Sequence, residues 1–354
     1  MLAVGAVMAL PQSGSQSSTE VVSYVNQALD IMQQNSINKK SINWAQLRKE
    51  TLVRVAGAQT TVDTYDAIRF ALKRLDDHHS FLQLSEELQA KEKSARANLK
   101  SATENTAQSE KWPPSPYIDR RTPMGEILSV GNVRVARVVV PMFETSDDAA
   151  MHEYADTLQR AVLRLADDNP AGWVVDLRGN LGGNMWPMLA GIGPLAGEGS
   201  VGAAIDSDGN KDMWFYAADG SGVQTHDGKR IVVCWTPTHT SRLKTPLAVA
   251  VLIDRGTASS GEGIAIALQG LPFSRFFGRH THGQSTSNEG FPLSDGANLV
   301  LTTGFEADRT GKVYRDGITP DVELPEESAV AQPGSLDPFT QAAVEWIKSV
   351  AARP

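Results

Sequence analysis

Leu252-Ile253-Asp254-Arg255-Gly256-Thr257-Ala258-Ser259-Ser260-Gly261-Glu262-Gly263 is the stretch on which the fold turns. It closes an almost wholly apolar run, Leu247 to Ile253, the composition of a central strand covered on both faces. Small residues follow, and Ser260 to Leu268 predicts a helix. A strand that turns directly into a helix exposes a serine at the helix N-terminus. There the dipole and the free N–H groups favour negative charge on an attacking or departing oxygen. The same residues also have a plainer use. Thr257, Ser259 or Ser260 caps the helix, and Glu262 completes a capping box. Taken alone, the stretch leaves both uses open.

Working outward, the chain from Val133 reads as α/β. Val133 to Val140 has the β-branched density of a strand, 147–168 has helical spacing, and Gly172 to Leu177 is a short buried strand. Phe276-Phe277-Gly278 and Asn298 to Thr303 are further strand candidates. Before this region, residues 20–76 predict three helices. The first carries Val22, Val25, Leu29 and Met32 at helical spacing, the second starts at Trp44 with Ser41 or Asn43 as cap, and the third follows Thr61. Ser85 to Lys100 is charged and Ala-rich, a solvated helix capped by Ser85, and Ser101 to Ser115 is polar. The expected plan is a signal-like or disordered 1–19, a helical domain over 20–82, a polar insertion or lid over 83–130, and an α/β core over 131–354. The fold class is α/β (α+β): an N-terminal helical bundle followed by a mixed β-sheet core with flanking helices.

Composition narrows the function. The 354 residues carry a net charge of -8, with no basic stripe to hold nucleic acid. The single cysteine, Cys234, lies in the apolar run Ile231 to Trp235 and reads as a buried small hydrophobe. Leu2 to Leu10 is an apolar run of nine residues, too short to span a bilayer. It suits the core of a signal peptide, although no Lys or Arg precedes it. Export is the expectation, with the cytoplasm left open, and no other window predicts a membrane span.

Three further segments carry residues fit for chemistry. Asp176-Leu177-Arg178-Gly179-Asn180-Leu181-Gly182-Gly183-Asn184 ends a strand in a Gly-rich turn, where backbone N–H groups can approach a substrate. It lacks the Gly-Lys-Ser/Thr ending of a phosphate loop. Asp77-His78-His79-Ser80 places imidazoles at a helix end, suited either to a general base or to capping the helix C-terminus. Gly278 to Ser285 includes His280 and His282, which with His78 and His79 can be drawn as a metal site. No companion motif supports that, so no metal or other cofactor is expected.

In this order the segments resemble the tail-specific (C-terminal processing) protease family, broadly including the tricorn core protease and the interphotoreceptor retinoid-binding protein modules. The shared series is Leu75-x-Asp77-x-His79-Ser80, Val140-Pro141-Met142-Phe143, the 176–183 turn, Thr257 to Glu262, Gly278-x-x-Thr281-x-Gly283, Phe291 to Gly296 and Gly317-Ile318-Thr319-Pro320-Asp321. Each piece is short; the ordered series is specific. The resemblance implies a core related to the ClpP/crotonase fold. It implies Ser259 as nucleophile, with Ser260 as rival, and an oxyanion hole from the N–H groups of Gly182, Gly183 and Ser260.

The chain departs from the family where many members have a lysine base: that position is Gln284, which cannot deprotonate a serine. The branch resembling the tricorn core uses a histidine, and the matching residue is His79. Its orienting carboxylate stays open among Asp77, Glu289 and Asp316; His78, Glu262 and Gln284 are further supporting candidates. The stretch 83–130 is too short and polar for the PDZ domain many members carry. The expected activity is peptide-bond hydrolysis in extended or C-terminal segments of a peptide or protein substrate. A non-catalytic module binding a peptide or apolar ligand is the alternative, and an esterase a third. Oligomeric state is not legible.

Overall fold

The computed structural model describes residues 18–99, 122–236, 243, 248–324 and 335–352. The stretch read as a signal sequence and residues 100–121 of the polar lid lie outside the described residues. The chain forms two compact units, Met1–Ala107 with Asn288–Thr302, and Gln108–Ser287 with Thr303–Pro354.

The first unit is helical. Helix α1 (Thr19–Asn35) buries Val21, Val25, Leu29 and Met32, one turn apart along one face, and the Ser18 hydroxyl accepts the Val21 N–H. Helix α2 (Trp44–Arg54) is capped by Asn43, whose side chain accepts the Gln46 N–H. Helix α3 (Tyr65–Lys73) buries Tyr65, Ile68 and Leu72. Strand β1 (Phe81–Gln83) and helix α4 (Glu86–Leu99) follow, the latter capped by Ser85 at Leu88 N–H. Residues 288–302 return to this unit as a hairpin. At its tip Asp295 accepts the hydroxyls of Tyr24 and Tyr65 at 2.9 and 2.7 Å, tying the hairpin to two helices.

The second unit is built on a six-stranded sheet in the order β14-β10-β9-β4-β3-β2. Its strands are β2 (Met124–Val130), β3 (Val133–Val139), β4 (Trp173–Asp176), β9 (Val249–Ile253), β10 (Ser274–Gly278) and β14 (Val322–Glu323). All neighbours run parallel except the β2–β3 hairpin at one edge. The parallel strands are almost continuously apolar, because helices cover both faces. On one side lie α5 (Asp148–Asp167), α6 (Met185–Ala196) and α7 (Ser260–Leu268), packed over Val175, Val251 and Phe276. On the other lies α8 (Pro338–Ala351), whose Phe339, Val344 and Ile347 meet Val174, Ala250 and Phe277.

An antiparallel run, β5 (Gly199–Asp206), β6 (Lys211–Ala217), β7 (Gly220–Gln224) and β8 (Arg230–Trp235), completes this unit. Strand β11 (Thr286–Pro292) leads into the hairpin of the first unit. Strand β12 (Asn298–Asp308) leads back out, pairing over Gly304–Asp308 with β5 and over Glu306–Ala307 with β13 (Val313–Tyr314). Cys234 is fully buried, and burial, helped by the Asp148 charge, pushes its thiol up to about 12. It serves as the small hydrophobe its surroundings suggested. Among the described residues no helix is long and apolar enough to cross a membrane.

Candidate active site

In an open parallel sheet, ligands bind beyond the carboxyl ends of the strands. Four motifs of the second unit emerge there. Strand β3 runs into Val140-Pro141-Met142-Phe143, β4 into the Gly-rich turn, β9 into the serine turn, and β10 into the loop 279–285.

Ser259 is the N-cap of α7, but not an ordinary one. Its φ is 50° and ψ -123°. A normal N-cap sits in the β region, so capping alone does not call for this conformation. A non-glycine residue held there costs on the order of 1–3 kcal/mol and persists only where its surroundings impose it. The capping box and the chemical reading are therefore not rivals. Glu262 does close on the Ser259 N–H at 2.9 Å, and the strained serine is what the cap holds.

The surroundings that impose the strain are specific. Glu262 is fully buried. One carboxylate oxygen, Oε2, accepts N–H groups from Ser259 and from Gln284 (2.8 Å); the other accepts the Thr281 hydroxyl and the Gly283 N–H. Burial pushes this carboxyl up, while these four hydrogen bonds hold it down. Gln284, which stands at the family's lysine position, thus shares one carboxylate oxygen with the serine turn. Asn180, also buried, braces the other side. Its side chain donates to Val140 O and accepts Gly182 N–H at 2.9 Å, and its carbonyl accepts Ala258 N–H. Asp254 accepts N–H groups from Gly179 and Gly256 at 2.9 Å, joining the two turns at their base.

Two glycines make the approach of the turns possible. A Cβ on Gly182 (φ +103°) would lie 2.8 Å from both Ala258 O and Ser259 Cβ; one on Gly183 (φ +97°) would lie 2.1 Å from Phe143 O. Only a bare backbone fits. Gly182 O and Asn184 N–H pair with Phe143, while the Gly183 carbonyl turns to the Ser260 hydroxyl at 2.5 Å. Of the three expected oxyanion donors, Gly182 N–H is taken by Asn180. The N–H groups of Gly183 and Ser260 have no partner among the described residues. Two such donors, one from each turn, are what an oxyanion hole requires, each worth about 2.7–4 kcal/mol in the transition state.

Beside α7 lies Glu306, a buried residue whose Oε2 has no partner among the described residues and whose carboxyl approaches Gly263. Burial, with the Glu262 charge nearby, holds its proton well above the usual carboxylate range. In the unfolded chain this group is ionised above its ordinary value, so folding takes up a proton. Its stabilising contribution is full below the ordinary value and falls as pH rises towards the folded one, by up to about 1.4 kcal/mol per unit. Glu306→Gln should flatten the fall in stability between pH 5 and 8; urea denaturation across that range checks it.

The first-unit motif is held by its own loop. Asp77 Oδ1 accepts the N–H groups of His79 and Ser80, and Oδ2 accepts the Ser80 hydroxyl. The hairpin joins in, with Asn288 donating to His79 O and Thr302 N–H to the Ser80 hydroxyl. Asp77 is thus engaged in shaping the turn that presents half-buried His79. His78 is exposed, with Nε2 3.7 Å from Asp76. Of the other carboxylates, Glu289 is exposed in the first unit. Asp316 is exposed in the second, its carbonyl beside Gly283. Sequence reasoning assigned no role to Asn180 or Asp254, whose ties run between turns distant in the chain.

The geometry meets the comparisons here. The model of Peptidase family S41 matches residues 134–324, more than half of the chain. The chain belongs to peptidase family S41. The nisin-resistance protein of Lactococcus lactis subsp. lactis is 29% identical over 332 residues, 92% of this S41 chain and 86% of that protein. The chloroplastic C-terminal processing peptidase of Tetradesmus obliquus is 29% identical over 171 residues, 48% of this chain and 32% of that protein. Among solved structures, a lipoprotein from Streptococcus agalactiae shares the fold with a TM-score of 0.66 at 24% identity, covering 98% of this chain and 99% of that one. The resemblance to the tail-specific proteases holds, and membership of S41 places the chain among the peptidases.

Proposed function

We propose that this S41 chain is a serine peptidase in which Ser259 attacks the scissile carbonyl and His79 acts as general base and then acid. The observation that carries the reading is Ser259 itself. It is a strained serine at a helix N-terminus, with two N–H groups from separate turns that have no partner among the described residues. A serine hydroxyl is a weak nucleophile until a neighbouring base takes its proton. Gln284 has no basic nitrogen. The base must come from elsewhere, and His79 is the candidate at the family's position. The strain at Ser259 weighs against a purely binding module, which has no need of it.

The substrate in this reading is an extended peptide. The lactococcal relative is named for nisin resistance, so nisin belongs in the test panel beside a peptide library. We place the protein outside the cytoplasm, on the apolar stretch Leu2 to Leu10 and the likeness to a streptococcal lipoprotein. Peptide-library digestion with mass-spectrometric readout tests the mechanism. His79→Ala should cut roughly 10²–10⁴-fold more slowly, the usual worth of a positioned general base. Equal cleavage by wild type and variant would remove His79 from the mechanism.

A further inference from the structure

Two buried carboxyls stand together beside the serine turn, and they are treated very differently. Glu262 on α7 receives the N–H groups of Ser259, Gly283 and Gln284 and the Thr281 hydroxyl. Glu306 on β12 is buried too, and its Oε2 has no partner among the described residues. The Glu306 oxygens lie 3.5 and 3.7 Å from where a Cβ of Gly263, the residue after Glu262, would stand, and Met185 Sδ closes the same space at 2.8 Å. Both acids also hold one loop. Glu306 N–H donates to Ser285 O at 3.2 Å, next to the Gly283 and Gln284 N–H groups that Glu262 accepts.

The elements around Glu306 bring no charge to balance it. Its ladder partners are Ala204 on β5 and Tyr314 on β13, and α6 contributes Met185. The Tyr314 hydroxyl donates to Asp308 at 2.8 Å; burial and that carboxylate push it up, so it keeps its proton. Burial would raise Asp308, two positions along β12, but Thr310, Tyr314 and Lys312 hold it low and ionised. Among the described residues, Glu262 is the charge that acts on Glu306. Two buried carboxyls without a cation do not readily ionise together. The four donors place the charge on Glu262 and leave the proton on Glu306.

We propose that Glu306 is a positioning residue for Ser259, acting through Glu262: its proton confines the pair to one negative charge, and its ionisation loosens the grip of Glu262 on the Ser259 and Gln284 N–H groups and switches the serine off. The packing against Gly263 and Met185 leaves a second charge no water to relax into. The lock rests on the peptidase reading above but has a readout of its own.

Fluorophosphonate labelling of the full chain is followed from about pH 6 to 10 for wild type, Glu306→Gln and Glu306→Met. A histidine base alone gives a rate that climbs as imidazole loses its proton and then levels. Wild type should instead fall beyond its maximum, by about tenfold per pH unit once Glu306 ionises. Both variants lack that ionisation and should hold their plateau. Methionine keeps the length without a polar atom, so agreement between the two assigns the effect to charge.

The second readout needs no catalysis. Hydrogen exchange of residues 254–264, compared between wild type and Glu306→Gln at each pH, should show wild type losing protection on the alkaline side, again by about tenfold per unit, while α8 stays equally protected in both. A wild-type rate that levels off, or an alkaline fall shared by both variants, overturns the lock. Loss of protection that extends to α8 also overturns it, in favour of global unfolding. If no chain is labelled at any pH yet the turn loses protection in wild type alone, the peptidase reading fails and the lock survives.

Discussion

Ser259→Ala should lose about 10⁴–10⁶-fold in peptide hydrolysis, the scale seen when a nucleophile is removed from a serine peptidase. The residual rate, supplied by the oxyanion donors and by binding, stays above that of water. A fluorophosphonate probe should label wild type and fail to label the variant; persistent labelling would transfer the role to Ser260. A second outcome tests the structural half of the claim. The strain at Ser259 comes from Cβ, since φ +50° with ψ -123° is crowded for any L-residue but open to glycine. Alanine keeps that crowding. Ser259→Gly relieves it and should be at least as stable as Ser259→Ala. At an unstrained position glycine would be less stable by about 0.5–1 kcal/mol. Chemical denaturation of the pair measures this. If the glycine variant is the weaker, the strain attributed to this turn is not there.

That turn shows how local and distant information divide. The strand, the break and the helix Ser260–Leu268 were legible because each is a short-range pattern: an apolar run, a cluster of small residues, an apolar helix. The capping box was legible for the same reason. The positive φ was not, because it is enforced by contacts from Asn180 and Gly182, about eighty residues upstream. Only the ordered series of motifs hinted that these segments belong together. The motif named both glycines as donors, but which of the two keeps an N–H without a partner among the described residues depends on a side chain, Asn180, that the motif contains and does not explain.

Elsewhere the misses have different causes. Strands β5 to β8 went unread because Gly, Ser and Asp dilute their alternation. Yet Asp208-Gly209, Asp219-Gly220 and Asp227-Gly228 are hairpin signals, and all three glycines have positive φ. Helix α6 contains Gly191, Gly193 and Pro194, poor helix formers. It forms because it is buried nearly all round, and its glycines admit Leu158 and Tyr216. Helix α8 went unread although its start carries helix signals, Asp337 as cap and Pro338 at the first helical position. Its purpose is visible only through Arg178.

Arg178→Ala should bring the largest loss of stability, about 3–5 kcal/mol, because it leaves buried charge without its partner. The Arg178 side chain has no exposed surface. It bridges Asp176, also wholly buried, to Asp337, 159 positions later in the chain. Burial opposes its charge, but the two carboxylates raise its pKa regardless. The Asp337 carboxyl, which burial would push up, is held low by the same pair and by Thr340. Asp176 keeps Arg137 at 2.6 Å after the substitution, and Asp337 keeps its cap on Phe339 and Thr340 N–H. The loss should therefore sit near the lower end of the range. Lysine should not rescue it, since one ammonium cannot serve two carboxylates with the forked geometry. Because α8 packs on the face of the sheet opposite α7, Asp337→Asn should weaken the second unit in urea while fluorophosphonate labelling of Ser259 persists at low denaturant. Arg178→Ala should also slow that labelling, since Arg178 begins the turn that ends in Gly183. If urea midpoints for Arg178→Ala and wild type coincide, the buried bridge is not what fastens α8 to the sheet.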